Sequence, residues 1–212
     1  MQRSLDVIVV GAGPSGSYAA RGLARLGYEV LVPEEHERVG LPVHCTGIIS
    51  TDACQQLSLD PTLVEASPSG ARFFSPRGQS FSISAPELHA VVVDRSRLDQ
   101  WLCGQATASG AKLLLSTHAR EVSVSDGRAV VTAEVGGEPA SFQCALAIVA
   151  TGANSSLVCR GNPSHTGATF LYAAQVEASG RSSRTSRCTW AATLRQADSR
   201  GRCRWTASAA LV

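Results

Sequence analysis

Residues 7–16, Val7-Ile8-Val9-Val10-Gly11-Ala12-Gly13-Pro14-Ser15-Gly16, join an apolar run to a G-x-G-x-x-G turn. The apolar run predicts a buried parallel strand, and the turn predicts the start of a helix. In such a turn the first glycine allows the tight bend, the second lets backbone N–H groups approach a pyrophosphate, and the third lets the helix pack against the strand. The positive end of the helix dipole then faces the phosphates. The stretch therefore predicts a dinucleotide-binding unit.

The residues that follow complete this unit in the required order. Residues 18–26 predict the helix, Gly27 a C-terminal stop, and residues 28–32 a second strand that Pro33 closes. Glu34 lies about twenty residues beyond the turn, where a carboxylate accepts hydrogen bonds from an adenosine ribose. Glu35 is the second choice for this role. The alternative is that both acids merely solvate the end of a strand.

Composition bounds the class of protein. The 212 residues can hold one large or two small domains, and a net charge of +2 favours no particular partner, nucleic acid included. No apolar run reaches the roughly eighteen residues of a membrane span, and the N-terminus enters the first strand directly, so we expect a cytoplasmic protein. Seven cysteines without C-x-x-C spacing and five histidines without metal-ligand spacing predict reduced thiols and no metal site.

The rest of the chain predicts an interrupted nucleotide-binding sheet. A short helix is expected over residues 51–57, a hairpin over 71–83, a strand over 89–93 and an amphipathic helix over 95–109. Residues 112–115 predict a third parallel strand, and three strands over 120–124, 129–135 and 141–144 predict a β-meander. The chain re-enters the main sheet over 146–150, before Thr151-Gly152. The expected fold is α/β, with a Rossmann-like three-layer domain and an inserted β-meander.

Five motifs carry a resemblance to a known family. GAGPSG, Glu34, VGLPVHCTGIIS, VVDRSRLDQWL and IVATGANSS resemble, in order, the geranylgeranyl reductase family of FAD-dependent oxidoreductases, which is related in fold to aromatic hydroxylases. The resemblance covers roughly residues 4 to 180. It implies an enzyme that binds FAD and moves hydride equivalents to carbon–carbon double bonds of a geranylgeranyl group on a lipid or pigment precursor. It also implies NAD(P)H or another reductant as electron donor, an isoprenoid substrate, and peripheral contact with a membrane.

The resemblance also implies the residues of the site. Gly11, Gly13, Ser15 and Gly16 would hold the FAD pyrophosphate, Glu34 the ribose, Cys45 and Thr46 the flavin, Arg95 the phosphate and ribityl side, Ala119 the adenine, and Thr151 and Gly152 a second nucleotide turn. Threonine here replaces the aspartate usual in that turn. Cys45 is the candidate catalytic residue, as an aid to proton delivery. Its alternative is a small apolar filler, and the alternative for Arg95 is a solvated residue at a helix start.

The predicted domain organisation is an FAD-binding domain over residues 1–180, with residues 60–93 contributing a hairpin to an incomplete substrate domain. Residues 181–212 are rich in arginine, lack regular periodicity, and predict an aberrant or disordered tail. The codons of residues 187–205, read in a neighbouring frame, permit VYLGRDLAPGGFAWAVPV, which is similar to the family's aromatic substrate-site motif. A frameshift and a truncated second β-sheet domain are therefore expected, so that an inactive fragment is the alternative to an active enzyme. The nucleotide sequence tests this, because codons that cannot spell the string exclude it.

Two other functions fit the same residues. One is an FAD-dependent monooxygenase or dehydrogenase, since a scaffold does not choose its reaction. The other is a non-enzymatic nucleotide-binding fragment whose basic tail docks an acidic partner.

Overall fold

The computed structural model describes residues 5–43, 45–68, 70–75, 78–84, 89–152, 157, 171–177, 190–197 and 203–211. The chain divides into two compact units. The first comprises Met1–Val43 and Ser96–Gly167, and the second comprises His44–Arg95 and Ala168–Val212.

The secondary structure follows the chain in this order: β1 (Leu5–Val10), α1 (Pro14–Arg25), β2 (Val30–Pro33), β3 (Ile48–Ser50), α2 (Thr51–Leu57), a 3-10 turn (Pro61–Leu63), β4 (Val64–Ala66), β5 (Gly70–Phe74), β6 (Ser80–Ser84), β7 (Ala90–Val93), α3 (Arg95–Ala108), β8 (Lys112–Leu114), β9 (Thr117–Ser125), β10 (Arg128–Val135), β11 (Glu138–Val149), β12 (Leu171–Glu177), β13 (Trp190–Ala197) and β14 (Cys203–Leu211).

The first unit is built on a six-stranded sheet in the order β8-β2-β1-β11-β10-β9. Strands β8, β2, β1 and β11 are parallel, and β10 and β9 continue the sheet antiparallel. Cys144 pairs with Leu5 on β1 and with Ala129 on β10, so one strand serves both the meander and the parallel sheet. The separate strands expected over 141–144 and 146–150 are therefore wrong. A single long strand joins them because its two edges bind different partners.

Both faces of this sheet are covered. Val7 and Val9 point to one face and pack with Ala20 of α1 and with Cys103 of α3. The alternate residues of β1, Ile8 and Val10, pack on the other face with Val131 of β10 and with Cys144. Successive strand residues point to opposite faces, so the unbroken apolar run of β1 fills both cores. The predicted α/β fold, a Rossmann-like sheet with an inserted β-meander, is confirmed.

The second unit contains two antiparallel sheets. A three-stranded sheet has the order β3-β7-β4, and a five-stranded sheet has the order β12-β13-β14-β5-β6. The hairpin expected over residues 71–83 is confirmed as β5 and β6, with Phe73 stacked on Phe81 at a centroid distance of 4.9 Å. Strands β13 and β14 lie within the range 181–212 that the sequence suggests as a tail. The predicted domain boundaries stay a prediction.

The boundaries of several elements differ from expectation. Helix α1 begins at Pro14 rather than at residue 18. Proline has the φ angle of a helix and lacks an N–H group, and N–H groups in the first turn of a helix make no intrahelical hydrogen bond, so proline is favoured there. Strand β2 spans Val30–Pro33 rather than 28–32, and the short strands β3 and β4 were not predicted. Gly27 has φ +90° and ends α1 as expected.

Among the described residues, no helix combines the length and the apolar character needed to cross a membrane.

Candidate dinucleotide-binding site

The glycine turn between β1 and α1 is held by close backbone contacts. Gly11 has φ +101°, and its N–H donates to the Pro33 carbonyl oxygen at 2.9 Å. A Cβ at Gly11 would lie 2.8 Å from the Ala150 carbonyl oxygen. A Cβ at Gly16 would collide with the Gly11 carbonyl oxygen. The first and third glycines are therefore needed for the turn itself, as expected from their spacing.

Gly13 has a different role, because none of the residues that the structure describes lies where its side chain would be. It caps α1 with φ −64° and ψ −179°, and a Cβ there meets no atom within 4 Å. Ser17, nearly fully buried, donates from Oγ to the Ala12 carbonyl oxygen at 2.8 Å and so braces the turn. The space at Gly13 lies at the N-terminus of a 12-residue helix, where backbone N–H groups attract a phosphate.

Glu34 is the buried carboxylate of this unit, with 7% of the residue exposed. Its Oε2 accepts from the Ala12 N–H at 2.7 Å, and its Oε1 accepts from the His36 N–H at 3.1 Å. The Glu34 backbone is fixed as well, since its N–H donates to the Leu114 carbonyl oxygen at 2.8 Å and its carbonyl accepts from the Thr117 N–H at 2.8 Å. A buried charge held in this way cannot swing out to solvent.

Glu35, the second choice for the ribose contact, is exposed. Its Oε2 lies 3.0 Å from His118 Nδ1, and this pair is half exposed on both sides. Beside it, Arg120 Nη2 lies 2.6 Å from Glu134 Oε2. The Arg120 hydrogen bond lowers the pKa of Glu134 and raises that of Arg120. These four side chains form a polar rim on β9, on β10 and just after β2.

The turn after β11 packs directly on the glycine turn. The Ala150 N–H donates to the Val10 carbonyl oxygen at 2.8 Å, and Thr151 Cα lies 3.3 Å from the position of a Gly11 Cβ. Gly152 has φ +78°. Thr151 Oγ1 is buried and has no hydrogen-bond partner among the described residues. A buried hydroxyl in that state costs free energy, so it indicates a polar ligand or water at this turn.

For Ala119 and Ser15, the structure gives less support for a contact with the cofactor. Ala119 pairs with Ala133 at a register shift between β9 and β10, two residues beyond the Thr117 N–H that binds the Glu34 carbonyl. Its backbone therefore lies near the carboxylate segment, as an adenine contact requires. Ser15 lies exposed in the first turn of α1.

The remaining predicted site residues are gathered in the second unit. The Val93 N–H of β7 donates to the Gly47 carbonyl oxygen at 2.9 Å, and Gly47 has φ +77° with no room for a Cβ against the Val93 carbonyl. Cys45 and Thr46 immediately precede this contact, and Arg95 follows it by two residues at the start of α3. Cys45 and Thr46 are partly exposed. One backbone contact thus brings Gly47, which follows Cys45 and Thr46, to the end of the strand that precedes Arg95.

Cys103 of α3 lies buried behind the glycine turn. Burial raises the pKa of its thiol, a hydrogen bond with Ser17 lowers it, and the charge of Glu34 raises it. Cys103 therefore stays a neutral thiol that fills the core.

The first unit fits the adenosine diphosphate half of FAD on three observations. Among the described residues, no atom fills the space at Gly13, Glu34 presents a buried carboxylate, and Thr151 Oγ1 has no hydrogen-bond partner. Gly11, Gly13 and Gly16 would cradle the pyrophosphate, and Glu34 would bind the ribose. Sequence reasoning missed Ser17, the Ala12 N–H and the His36 ring, which lies 2.6 Å from Glu34 Oε1. Nothing in the sequence distinguishes His36 from other loop histidines.

The strand, glycine turn, helix and buried acid define a dinucleotide-binding domain. The comparison with protein families agrees with this class. The chain belongs to the pyridine nucleotide-disulphide oxidoreductase family, whose model matches residues 5–188.

Curated relatives confirm the resemblance to geranylgeranyl reductases. The chain is 34% identical over 146 residues to digeranylgeranylglycerophospholipid reductase 2 of Methanopyrus kandleri. The aligned region covers 68% of this chain and 36% of that protein. It is 31% identical over 162 residues to the digeranylgeranylglycerophospholipid reductase of Methanocella arvoryzae, with 74% and 41% covered. The chain thus spans about two fifths of the length of these relatives.

Solved structures share the fold. The geranylgeranyl bacteriochlorophyll reductase-like protein of Thermoplasma acidophilum superposes with a TM-score of 0.73 at 21% identity, covering 98% of this chain and 56% of that chain. The flavin-dependent halogenase CmlS superposes with a TM-score of 0.64 at 19% identity, covering 100% and 42%. At these identities the likeness shows the α/β flavoprotein fold alone.

Proposed function

We propose that this chain carries the FAD-binding part of a reductase that saturates carbon–carbon double bonds of geranylgeranyl groups in lipid biosynthesis. The observation that carries the proposal is the buried Glu34 carboxylate, hydrogen-bonded at 2.7 Å to the Ala12 N–H inside the glycine turn. This carboxylate would accept a hydrogen bond from a ribose hydroxyl, and a pyrophosphate would lie at Gly13, where a Cβ meets no described atom within 4 Å. The substrate class comes from the similarity to digeranylgeranylglycerophospholipid reductases.

Each group of residues has one task in this proposal. The glycine turn and the N-terminus of α1 bind the pyrophosphate, and Glu34 orients the adenosine. Reduced FAD, when bound, supplies the hydride that adds to one carbon of the double bond. A proton must reach the other carbon, and Cys45 is our candidate for assisting its delivery. Arg95, at the start of α3, would bind the phosphate and ribityl side of the cofactor.

The electron donor and the setting of the reaction are also part of the proposal. NAD(P)H or another reductant would reduce the flavin. An isoprenoid chain has little solubility in water, so the lipid-like substrate would lie in a membrane. A cytoplasmic protein would reach it by peripheral contact with that membrane.

Cofactor binding is the first test, with the full 212-residue chain. We expect the purified chain to bind FAD and to bind FMN at least about tenfold more weakly, because FMN lacks the adenosine half that Glu34 and the glycine turn contact. Fluorescence titration of the flavin measures both affinities. Equal affinity for FAD and FMN, or no binding of either, would contradict the proposal.

Turnover is the second test. The FAD-loaded chain, reduced chemically, is incubated with a digeranylgeranylglycerophospholipid, and mass spectrometry measures the product. Each reduced double bond adds two hydrogens to the lipid while the flavin is oxidised. A Cys45→Ala variant of an intact homologue with unchanged turnover would remove the proton-delivery role of Cys45. An oxygenated product formed with dioxygen would indicate the flavin monooxygenase instead.

A further inference from the structure

The ring of His36 lies against the carboxylate that we assign to the ribose. His36 Nδ1 is 2.6 Å from Glu34 Oε1, and the His36 backbone N–H donates to the same oxygen at 3.1 Å. An ionised carboxylate only accepts hydrogen bonds, so Nδ1 carries the hydrogen in this contact. One residue therefore supplies two donors to one oxygen of Glu34.

The backbone around His36 is held in place independently of the ring. The Ser116 N–H donates to the His36 carbonyl oxygen at 3.1 Å, and the Thr117 N–H donates to the Glu34 carbonyl oxygen at 2.8 Å. The segment 34–36 is thus tied to the start of β9. The fixed main chain therefore holds the His36 N–H against Glu34 Oε1, and the ring adds its own contact to the same oxygen.

The acceptor positions of Glu34 can be counted. A carboxylate has about four lone-pair positions, two on each oxygen. His36 occupies both positions on Oε1, and the Ala12 N–H occupies one on Oε2. Among the contacts of the described residues, one position on Oε2 is left. That oxygen is the one that faces the glycine turn, where the pyrophosphate space begins.

We propose that His36 is a positioning residue of the adenosine site, which holds Glu34 Oε1 so that Oε2 alone is presented to a ribose hydroxyl. The proposal rests on the assignment of an adenine dinucleotide to this site. It makes His36, rather than the glycine turn alone, a determinant of how tightly an adenine ribonucleotide is held.

A ligand pair separates this role from a merely structural one. ADP carries both ribose hydroxyls, whereas 2′,3′-dideoxy-ADP carries neither and cannot sense the orientation of Glu34. We expect His36→Ala to weaken ADP binding about fivefold and to leave dideoxy-ADP within twofold of the wild-type chain. Isothermal calorimetry or a competition assay gives both affinities. Their ratio within one variant does not depend on the fraction of folded protein.

Two further variants sharpen the test. His36→Asn places an amide N–H at the position of Nδ1, so we expect it to restore most of the ADP affinity. His118→Ala is the matched control, because His118 Nδ1 makes a similar contact with Glu35 and the two histidine side chains are 43% and 45% exposed. It should leave the ratio unchanged.

The outcomes distinguish this proposal from the proposed function. Wild-type ADP binding without FAD binding would overturn the flavin assignment, and the ratio would still test His36. An unchanged ratio in His36→Ala, or an equal loss for both ligands, would overturn the role of His36 alone. Failure of the wild-type chain to bind either FAD or ADP would overturn both.

Discussion

Glu34 Oε2 and the Ala12 backbone N–H are joined by a buried hydrogen bond of 2.7 Å across 22 residues of sequence. It links the end of β2 to the glycine turn after β1, so the carboxylate proposed to bind the ribose is tied directly to the turn proposed to bind the pyrophosphate. The turn cannot shift without breaking a charge-assisted bond, which is among the stronger hydrogen bonds in proteins.

Replacement of this carboxylate should abolish most of the cofactor affinity. In Glu34→Gln we expect FAD binding to weaken about tenfold to a hundredfold, because hydrogen bonds to a charged group are worth about 1.5 to 3 kcal/mol. Glu35→Gln is the control, since Glu35 is exposed and pairs with His118. Fluorescence titration should show near wild-type affinity for the control. Equal losses in the two variants would speak against Glu34 as the ribose ligand.

The third glycine of the turn should be required for folding. In Gly16→Ala the new Cβ meets the Gly11 carbonyl oxygen, so we expect the free energy of unfolding to fall by about 1 to 3 kcal/mol or more. Gly22 lies in the same helix, and a Cβ there meets no described atom within 4 Å. We expect Gly22→Ala to raise the free energy of unfolding by about 0.5 to 1 kcal/mol. Urea unfolding compares them. A Gly16→Ala chain as stable as wild type would show that the helix can move away.

The second glycine should be required for binding and not for folding. Gly13 has φ −64°, which alanine adopts readily, and a Cβ there meets no atom of the described part of the chain within 4 Å. We therefore expect Gly13→Ala to change the free energy of unfolding by less than about 1 kcal/mol. The methyl group would occupy pyrophosphate space, so FAD affinity should drop about tenfold. Unchanged FAD affinity in this variant would place the pyrophosphate elsewhere.

The rim pair should show a pH-dependent contribution to stability. The Arg120 hydrogen bond lowers the pKa of Glu134 from its ordinary value of 4.5. A group whose pKa is lower in the folded state stabilises the fold above its unfolded pKa and loses that contribution as the pH falls through the folded pKa. NMR titration should show the Glu134 pKa rising toward 4.5 in Arg120→Ala and staying low in Lys112→Ala, which breaks the distant pair with Glu29.

Local features were readable from the sequence because they depend on neighbours along the chain. The apolar run of β1, the G-x-G-x-x-G turn and the stop at Gly27 are set by backbone conformation and by side-chain period. The helix Thr51–Leu57 and the hairpin of β5 and β6 follow from similar local signals. Glu34 was selected by its distance from the turn, which is fixed once a helix separates two adjacent strands.

Other features depend on contacts between distant residues. Strand β11 is continuous because it pairs with β1 along one edge and with β10 along the other. The periodicity of the sequence does not show which strands are neighbours. The contact of His36 with Glu34 depends on β9 holding the segment after β2, and the contact of Gly47 with Val93 depends on β3 pairing with β7. The sequence by itself determined the dinucleotide-binding turn and its acid, since both are local patterns at a set spacing. Only the tertiary structure decided which donors surround that acid, because they come from segments brought together by the sheet.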